Sequence, residues 1–149
     1  MKTLILTSSL LLATISLAWS HCQVPCGIFD DEARFKLMLE DQETITKAAT
    51  MIGELAGKTD AESVNQTTRW IVTKESHAQN IQDTIAEYFL AQRIKSDAEN
   101  YTELLKAAHT VTVSAMRTKQ TVDSENAESL KSAILALYKA YTGKDDPPQ

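Results

Sequence analysis

The sequence predicts an all-α protein whose helices form an up-down-up-down four-helix bundle. Glycine and proline are scarce, with 4 and 3 residues among 149, which disfavours many short strands joined by tight turns. Residues that favour helices, such as alanine, leucine, glutamate and lysine, are spread along the chain. From Asp30 onward, apolar side chains recur every three or four positions, which is the helical period. A chain of this length suits one domain with a single apolar core.

The first twenty residues predict a signal peptide and are left out of the fold. Lys2 precedes an uncharged, mostly apolar run over residues 4–19, and the small residues Ala18 and Ser20 place cleavage just before His21. The apolar run is short for a stable membrane span, although a retained membrane anchor is the alternative. We therefore predict an exported protein, periplasmic or secreted, with no membrane partner after cleavage and a free α-amine on His21.

The first predicted helix starts near Asp30 and ends near Gly57, because glycine tolerates the left-handed conformation of a helix end. Thr59 and Glu62 then form a predicted capping box, in which each side chain satisfies a free backbone N–H of the second helix. That helix is expected to run to about Ile94. The predicted core positions of these two helices are Phe35, Met38, Ile45, Ala49, Ile52, either Met51 or Leu55, Val64, Ile71, Ala78, Ile81, Ile85, Tyr88 and Phe89.

The second half of the bundle follows the same pattern. A capping box over residues 96–99 precedes the third predicted helix, and the stretch 121–124 interrupts the apolar period. A fourth, shorter helix is closed by Gly143. Because the connections are short, successive helices are antiparallel, so residues 30–143 form the bundle and residues 144–149 a flexible tail. The predicted core positions here are Tyr101, Leu104, Ala108, Val111, Ala115, Leu130, Ile134, Leu137 and Tyr141.

The charge of the chain excludes two classes of function. Charged residues make up 23% of the sequence, and the formal net charge is -5. Proteins that bind nucleic acid carry a basic face, and attraction to anionic lipids needs a polybasic patch. We therefore expect no nucleic-acid partner and no membrane-surface partner.

The segment 21–29, between the predicted cleavage site and the first helix, carries the strongest chemical signal. His21 offers its α-amine, its imidazole and the amide to the next residue, while Cys22 and Cys26 add two thiolates. Thiolates combined with nitrogen donors suit a late first-row metal, and a tetragonal donor set favours Ni(II) or Cu(II). Pro25 restricts the chain between the two sulfurs and Gly27 permits a turn. The segment can therefore fold back on itself as a metal-binding hook.

The string His21-Cys22-Gln23-Val24-Pro25-Cys26-Gly27 resembles the nickel hook of the nickel superoxide dismutases, whose mature chains begin His-Cys-x-x-Pro-Cys-Gly-x-Tyr. The predicted cleavage places the histidine at residue one, where this family has it. The resemblance extends beyond the hook to residues 27–34, 38–41, 65–70 and 87–89, and covers most of the mature chain.

This resemblance implies a nickel-dependent superoxide dismutase, an antioxidant oxidoreductase that converts superoxide to oxygen and hydrogen peroxide by Ni(II)/Ni(III) cycling. It implies one nickel ion per subunit, bound by the α-amine and imidazole of His21, the amide nitrogen of Cys22, and the thiolates of Cys22 and Cys26. These three residues are the predicted catalytic residues. Substrate access is expected beside Gln23, Pro25 and Phe29. The family assembles as a homohexamer in which a neighbouring subunit shields the hook, and we expect the same assembly here.

Two features depart from the family pattern. The family tyrosine two residues after the hook glycine is Phe29 here, so its phenol is missing, and Tyr88 is a candidate to supply one. The family also holds its ligand histidine with a carboxylate from the first helix and an arginine from the second, but Lys36 or Leu37 falls where the carboxylate should be. The candidates for equivalent support around the hook are Glu40, Arg69, Lys74 and His77.

Other functions explain part of this pattern. Cys22 and Cys26 are the only cysteines, so in an exported chain they could form a small-loop disulfide that caps a helical binding protein. A copper or nickel carrier could use the same donors without turnover. A disulfide alone does not explain why His21 becomes the first residue of the mature chain, immediately beside the two cysteines. His77 and His109 lie on predicted helices, where a surface or hydrogen-bonded side chain is the alternative to a metal ligand.

Overall fold

The computed structural model describes residues 29–147, a stretch that contains helices and no strand. The predicted signal peptide, the hook up to residue 28 and the residues 148–149 lie outside this described part. Helix α1 spans Asp31–Leu55, α2 spans Ala61–Asp83 and continues as a π-helical segment over Thr84–Arg93, α3 spans Tyr101–Gln120, and α4 spans Ser124–Thr142. None of the helices described combines the length and the apolar character needed to cross a membrane.

Hydrogen bonds between helices show that neighbours run antiparallel. The side chain of Gln42 on α1 donates to the carbonyl oxygen of Ala127, near the start of α4, at 3.0 Å. Asp31 at the first position of α1 accepts from Tyr141, which lies near the end of α4. Each helix packs mainly on two neighbours, and α1 closes the ring by packing on α4. The predicted all-α, up-down-up-down four-helix bundle is confirmed.

Helix α2 begins one residue later than the predicted capping box requires. Its N-cap is Asp60, whose carboxylate accepts hydrogen bonds from the backbone N–H of Ser63 at 2.9 Å and from the hydroxyl of that residue at 2.7 Å. The Thr59–Glu62 capping box is therefore wrong. Aspartate is the stronger of two adjacent candidates for this position, because its carboxylate is a better acceptor for the helix N–H groups than a threonine hydroxyl.

The capping box predicted over residues 96–99 is also wrong. Residues 95–101 form turns, and α3 begins only at Tyr101. The N-cap position belongs to Asn100, whose side chain donates to the carbonyl oxygen of Ala140 on α4 at 3.0 Å. A contact between helices thus replaces the local cap that the sequence predicts.

Helix α4 ends at Gly143, as predicted, and the glycine adopts a left-handed φ of 73°. Beyond it, Lys139 pairs with Asp145 at 2.6 Å, and Lys144 pairs with Glu32 on α1. All four side chains are exposed, so these ion pairs contribute little to stability.

The core follows the predicted helical stripe, with a clear exception at one end of α2. Two predicted core residues, Val64 and Ile71, are instead 51% and 43% exposed. The Lys74 ammonium donates to the carbonyl oxygens of Thr118 and Lys119, at 2.5 and 2.8 Å, so α3 ends beside Lys74. The part of α2 before Lys74 extends past α3 and has one neighbour fewer to cover it. Buried as predicted are Phe35, Met38, Ile45, Ala49, Ala78, Ile81, Ile85, Tyr88, Phe89, Leu104, Ala108, Val111, Ala115, Leu130, Ile134 and Leu137, whereas Met51, Ile52, Leu55, Tyr101 and Tyr141 are partly buried.

The π-helical segment is a feature that the sequence does not predict. Its hydrogen bonds span five residues, and at its end the N–H of Ile94 donates to the carbonyl oxygen of Phe89 at 2.8 Å. The predicted end of the second helix near Ile94 is correct, but the wider turn changes which side chains share a face. Such segments are rare and often accompany functional sites.

Replacing Val111 by alanine should lower the free energy of unfolding by about 2 kcal/mol, because the buried side chain leaves a cavity. Val122 lies in the α3–α4 connection and is 49% exposed, so Val122→Ala should change that free energy by less than about 0.5 kcal/mol. Urea denaturation of the metal-free protein, followed by circular dichroism, measures both. Equal losses in the two variants would contradict this assignment of the core.

Candidate functional site

The carboxylate of Asp31 is the centre of a hydrogen-bonded cluster at the start of α1, directly after the hook. It accepts two hydrogen bonds from the Arg93 guanidinium, with Nε at 2.8 Å and Nη2 at 2.7 Å. The Tyr88 hydroxyl donates to the same carboxylate at 2.7 Å, and the Tyr141 hydroxyl does so at 2.9 Å. These donors come from the π-helical segment and from α4, so one carboxylate joins three parts of the bundle.

The charges of this cluster stabilise one another. Burial raises the pKa of Asp31, but the hydrogen bonds from Arg93, Tyr88 and Tyr141 outweigh it and bring that pKa below its ordinary value. The hydrogen bond to Asp31 raises the pKa of Arg93. Burial, followed by the hydrogen bond to Asp31, raises the pKa of Tyr88 and that of Tyr141 to about 12. At neutral pH the carboxylate is therefore ionised and both phenols keep their protons.

Phe29, the last residue of the hook, packs against the same cluster. Its ring meets that of Tyr88 edge-on, with the centroids 5.8 Å apart, and the Arg93 guanidinium lies 4.4 Å from the Phe29 ring centroid. A guanidinium at this distance from an aromatic ring is attracted by the electron-rich face. The end of the hook is thus held although Phe29 remains 37% exposed.

A groove of about 400 Å³ opens next to Tyr88, between α1 and the second helix with its π-helical segment. Arg34, Asp41, Asn80 and Gln92 are among its lining residues, and the Arg34 guanidinium lies 5.1 Å from the Tyr88 ring centroid. Two buried polar atoms, Nε of Arg34 and Oε1 of Gln92, have no hydrogen-bond partner within residues 29–147. Buried polar atoms are normally paired, so the groove wall offers hydrogen-bonding capacity that the described chain leaves unused.

The predicted site residues fall into separate groups. His21, Cys22, Gln23, Pro25 and Cys26 lie outside the described residues. Among the rest, the structure brings together Phe29 and Tyr88, which are in ring contact.

Three other candidates lie apart from that contact. His77 is joined through Nδ1 to Oδ1 of the groove-lining Asp41 at 2.5 Å, so it is a hydrogen-bonded side chain. Glu40 is exposed and lines a different cavity beside Lys131 on α4. Arg69 is exposed on the part of α2 that extends past α3, roughly 20 Å along the helix axis from the start of the π-helical segment at about 1.5 Å per residue. Lys74 caps the end of α3, as described above.

Sequence reasoning misses Asp31, Arg93 and Tyr141. An acidic residue in the first turn of a helix is common because it complements the helix dipole, so Asp31 carries no special signal. Its partners Tyr88, Arg93 and Tyr141 are 57, 62 and 110 residues away in the chain. Only the packing of the helices brings these residues together.

Replacing Asp31 by asparagine should make Tyr88 and Tyr141 ionise at lower pH, because burial still raises their pKa values but the added effect of the hydrogen bond to the Asp31 carboxylate and of its charge is lost. In the unaltered protein, the pKa values of both phenols are raised from 10.0 to about 12. Protonation of the phenols therefore adds to the free energy of unfolding in full below pH 10.0, and this contribution is lost as the pH rises towards 12. Asp31→Asn should also lower the free energy of unfolding at neutral pH by about 2 kcal/mol.

Phenolate absorbance against pH measures the ionisation, and urea denaturation measures the stability. Asp30→Asn is the matched control, because asparagine can replace the carboxylate that caps the N–H of Ala33 and does not touch the cluster. If both variants titrate like the unaltered protein, Asp31 does not hold the two phenols.

The metal ligands predicted from the sequence lie outside the described residues, so their donor chemistry is what can be compared with nickel. Within residues 29–147, no group of three or more His, Cys, Asp or Glu side chains is arranged to hold a metal ion. The amine and imidazole of His21 and the thiolates of Cys22 and Cys26 form a nitrogen and sulfur donor set that fits nickel.

Comparison with known proteins identifies the family. A family model described as nickel-containing superoxide dismutase matches residues 16–145, a range that includes the hook and all four helices. Comparisons with curated proteins and with solved structures returned no match. Since the match spans most of the sequence, the chain belongs to the nickel-containing superoxide dismutase family.

Proposed function

We propose that this chain performs the nickel-dependent disproportionation of superoxide, the activity of its family, at the hook formed by residues 21–29. The observation that carries the proposal is the family match over residues 16–145, which includes a donor set suited to nickel. The proposed ligands are the α-amine and imidazole of His21, the amide nitrogen of Cys22, and the thiolates of Cys22 and Cys26. One nickel ion is bound per subunit.

Nickel bound there would supply the one-electron chemistry of the reaction. The thiolates of Cys22 and Cys26 and the deprotonated amide of Cys22 would hold it and, as anionic donors, would raise the electron density at the metal. Gln23, Pro25 and Phe29 border the approach of superoxide in this proposal. These assignments rest on the resemblance of residues 21–29 to the nickel hook of the family.

Two protons are needed for each hydrogen peroxide that is formed, and their source bears on the role of Tyr88. The Tyr88 hydroxyl already donates to Asp31 at 2.7 Å, and its pKa is raised to about 12 by burial and by that hydrogen bond. Its proton is therefore held more tightly than that of an ordinary phenol. We assign proton delivery to water at the hook, and assign Tyr88 to packing against Phe29.

Export and signal-peptide cleavage form part of the proposal, because an α-amine ligand exists only if His21 is the first residue. The apolar run over residues 4–19 and the small residues before His21 support cleavage at that point. The mature protein then functions in the periplasm or outside the cell.

A homohexamer is the proposed assembly. Val64, Ile71 and Val72 lie on one face of α2, and they are 51%, 43% and 58% exposed. Apolar residues clustered on the surface of a helix often mark a contact between subunits. Sedimentation of the purified protein tests the assembly, since a monomer at all accessible concentrations would exclude it.

Adding one alanine between Ser20 and His21 should abolish superoxide consumption if cleavage then leaves alanine as the first residue. The α-amine moves one residue away from the imidazole, and the nitrogen of His21 becomes an amide. Superoxide consumption and nickel content of the purified protein are measured together.

The matched control is one alanine added after Gln149, at the other end of the chain, and this variant should retain full activity. Full activity in the variant with alanine before His21 would show that the α-amine is not a ligand. Bound nickel without any superoxide consumption in the unaltered protein would identify a metal carrier instead. A Cys22–Cys26 disulfide without metal would identify a helical binding protein.

A further inference from the structure

We propose that Arg93 is a positioning residue for the nickel hook, because it clamps Phe29 against Tyr88 at the point where the hook joins the bundle. The Phe29 clamp consists of Phe29, Tyr88 and Arg93, with Asp31 holding the latter two in place. This inference rests on the proposed function, because it takes residues 21–29 to be the metal site.

Arg93 contacts Asp31 through hydrogen bonds and Phe29 through its guanidinium. Two edge nitrogens, Nε and Nη2, bind the two oxygens of Asp31 at 2.8 and 2.7 Å. The central carbon of the guanidinium, Cζ, lies over the Phe29 ring, 4.4 Å from its centroid. The bidentate ion pair orients the guanidinium plane, so the position of the phenyl ring is defined as well. A lysine ammonium lacks the rigid pair of parallel donors, so it cannot make the bidentate ion pair that fixes the cation beside Phe29.

The π-helical segment makes this clamp possible. Tyr88 and Arg93 are five residues apart, and both donate to the carboxylate of Asp31. In an α-helix, residues five apart point about 140° away from each other, so they could not both reach one carboxylate. The π-helical turn, with hydrogen bonds spanning five residues, brings them to the same face. The π-helical geometry of Thr84–Arg93 therefore allows Tyr88 and Arg93 to bind the same carboxylate beside Phe29.

Fixing Phe29 restricts the position of the metal ligands. Cys26 precedes Phe29 by three residues, so its Cα lies within about 11 Å of the Phe29 Cα even when the chain is fully extended. Holding one end of the segment lowers the conformational entropy that metal binding must remove. The clamp should therefore strengthen nickel binding without donating a ligand.

Tyr141 provides a control for the stability of the cluster. Its hydroxyl donates to Asp31 at 2.9 Å, as does that of Tyr88, but the Tyr141 ring packs on Phe35 and Phe89 inside the bundle. Tyr141→Phe removes a hydrogen bond to the cluster and keeps the ring. Arg93→Lys keeps the charge but loses the bidentate ion pair that fixes the cation over Phe29.

The experiment uses the mature full-length chain and has two readouts. The first is the dissociation constant of nickel added alone, measured by calorimetry under reducing conditions. The second is hydrogen exchange of the backbone N–H groups of residues 22–24 and 26–28 in the metal-free protein, since Pro25 has no such group. We expect Arg93→Lys to weaken nickel binding at least tenfold and to speed exchange in the hook, whereas Tyr141→Phe leaves nickel affinity within twofold.

Phe29→Ala keeps the test decisive if Arg93→Lys fails to fold, because Phe29 is partly exposed and lies outside the helices. It should weaken nickel binding as strongly as Arg93→Lys. Equal nickel affinities in Arg93→Lys, Phe29→Ala and the unaltered chain would overturn the clamp, as would equal losses in Arg93→Lys and Tyr141→Phe. If the unaltered chain binds no nickel, the proposed function fails, and hydrogen exchange alone decides whether the clamp holds the hook.

Discussion

The ionised carboxylate of Asp31 is the interaction on which the functional end of this bundle depends. A partly buried charge is tolerated only when its oxygens are well paired, and here four hydrogen bonds surround it. They come from Arg93 and Tyr88 on the π-helical segment and from Tyr141 on α4. Removing one of these donors would leave the Asp31 carboxylate with too few hydrogen bonds, which costs free energy in a partly buried site. The cluster therefore joins the start of α1 to the π-helical segment and to α4, beside Phe29 at the end of the hook.

The proposed metal ligands lie in one short segment, whereas the residues that hold the end of this segment lie far from it in the sequence. The proposed donors span only residues 21–26, so a short peptide can supply the whole nickel coordination. Such a peptide needs a fixed point, and the described structure provides one at Phe29, held between Tyr88 and Arg93. In this proposal the bundle positions the end of the hook, and the hook supplies the metal ligands.

How far the sequence predicts this protein depends on how local each feature is. The helical period and the glycine at 143 are local, and both predict the structure correctly. The exposure of Val64 is not local, because it depends on where α3 ends. The Asp31 cluster joins residues up to 110 positions apart, and the π-helical turn that completes it has no recognised sequence signal. The proposed hook donors lie within six consecutive residues, so the sequence alone can suggest them, and they stay a prediction.

The central claim is that a newly exposed histidine amine and two free thiolates hold one nickel ion at the edge of this bundle. Mass spectrometry of the polypeptide isolated from its native source, first folded and then denatured, tests this claim most directly. The account predicts a chain that begins at His21, carries one nickel ion when folded, and has both cysteine thiols free once the metal is removed. A chain with a different first residue, or one with a disulfide and no nickel, would contradict it.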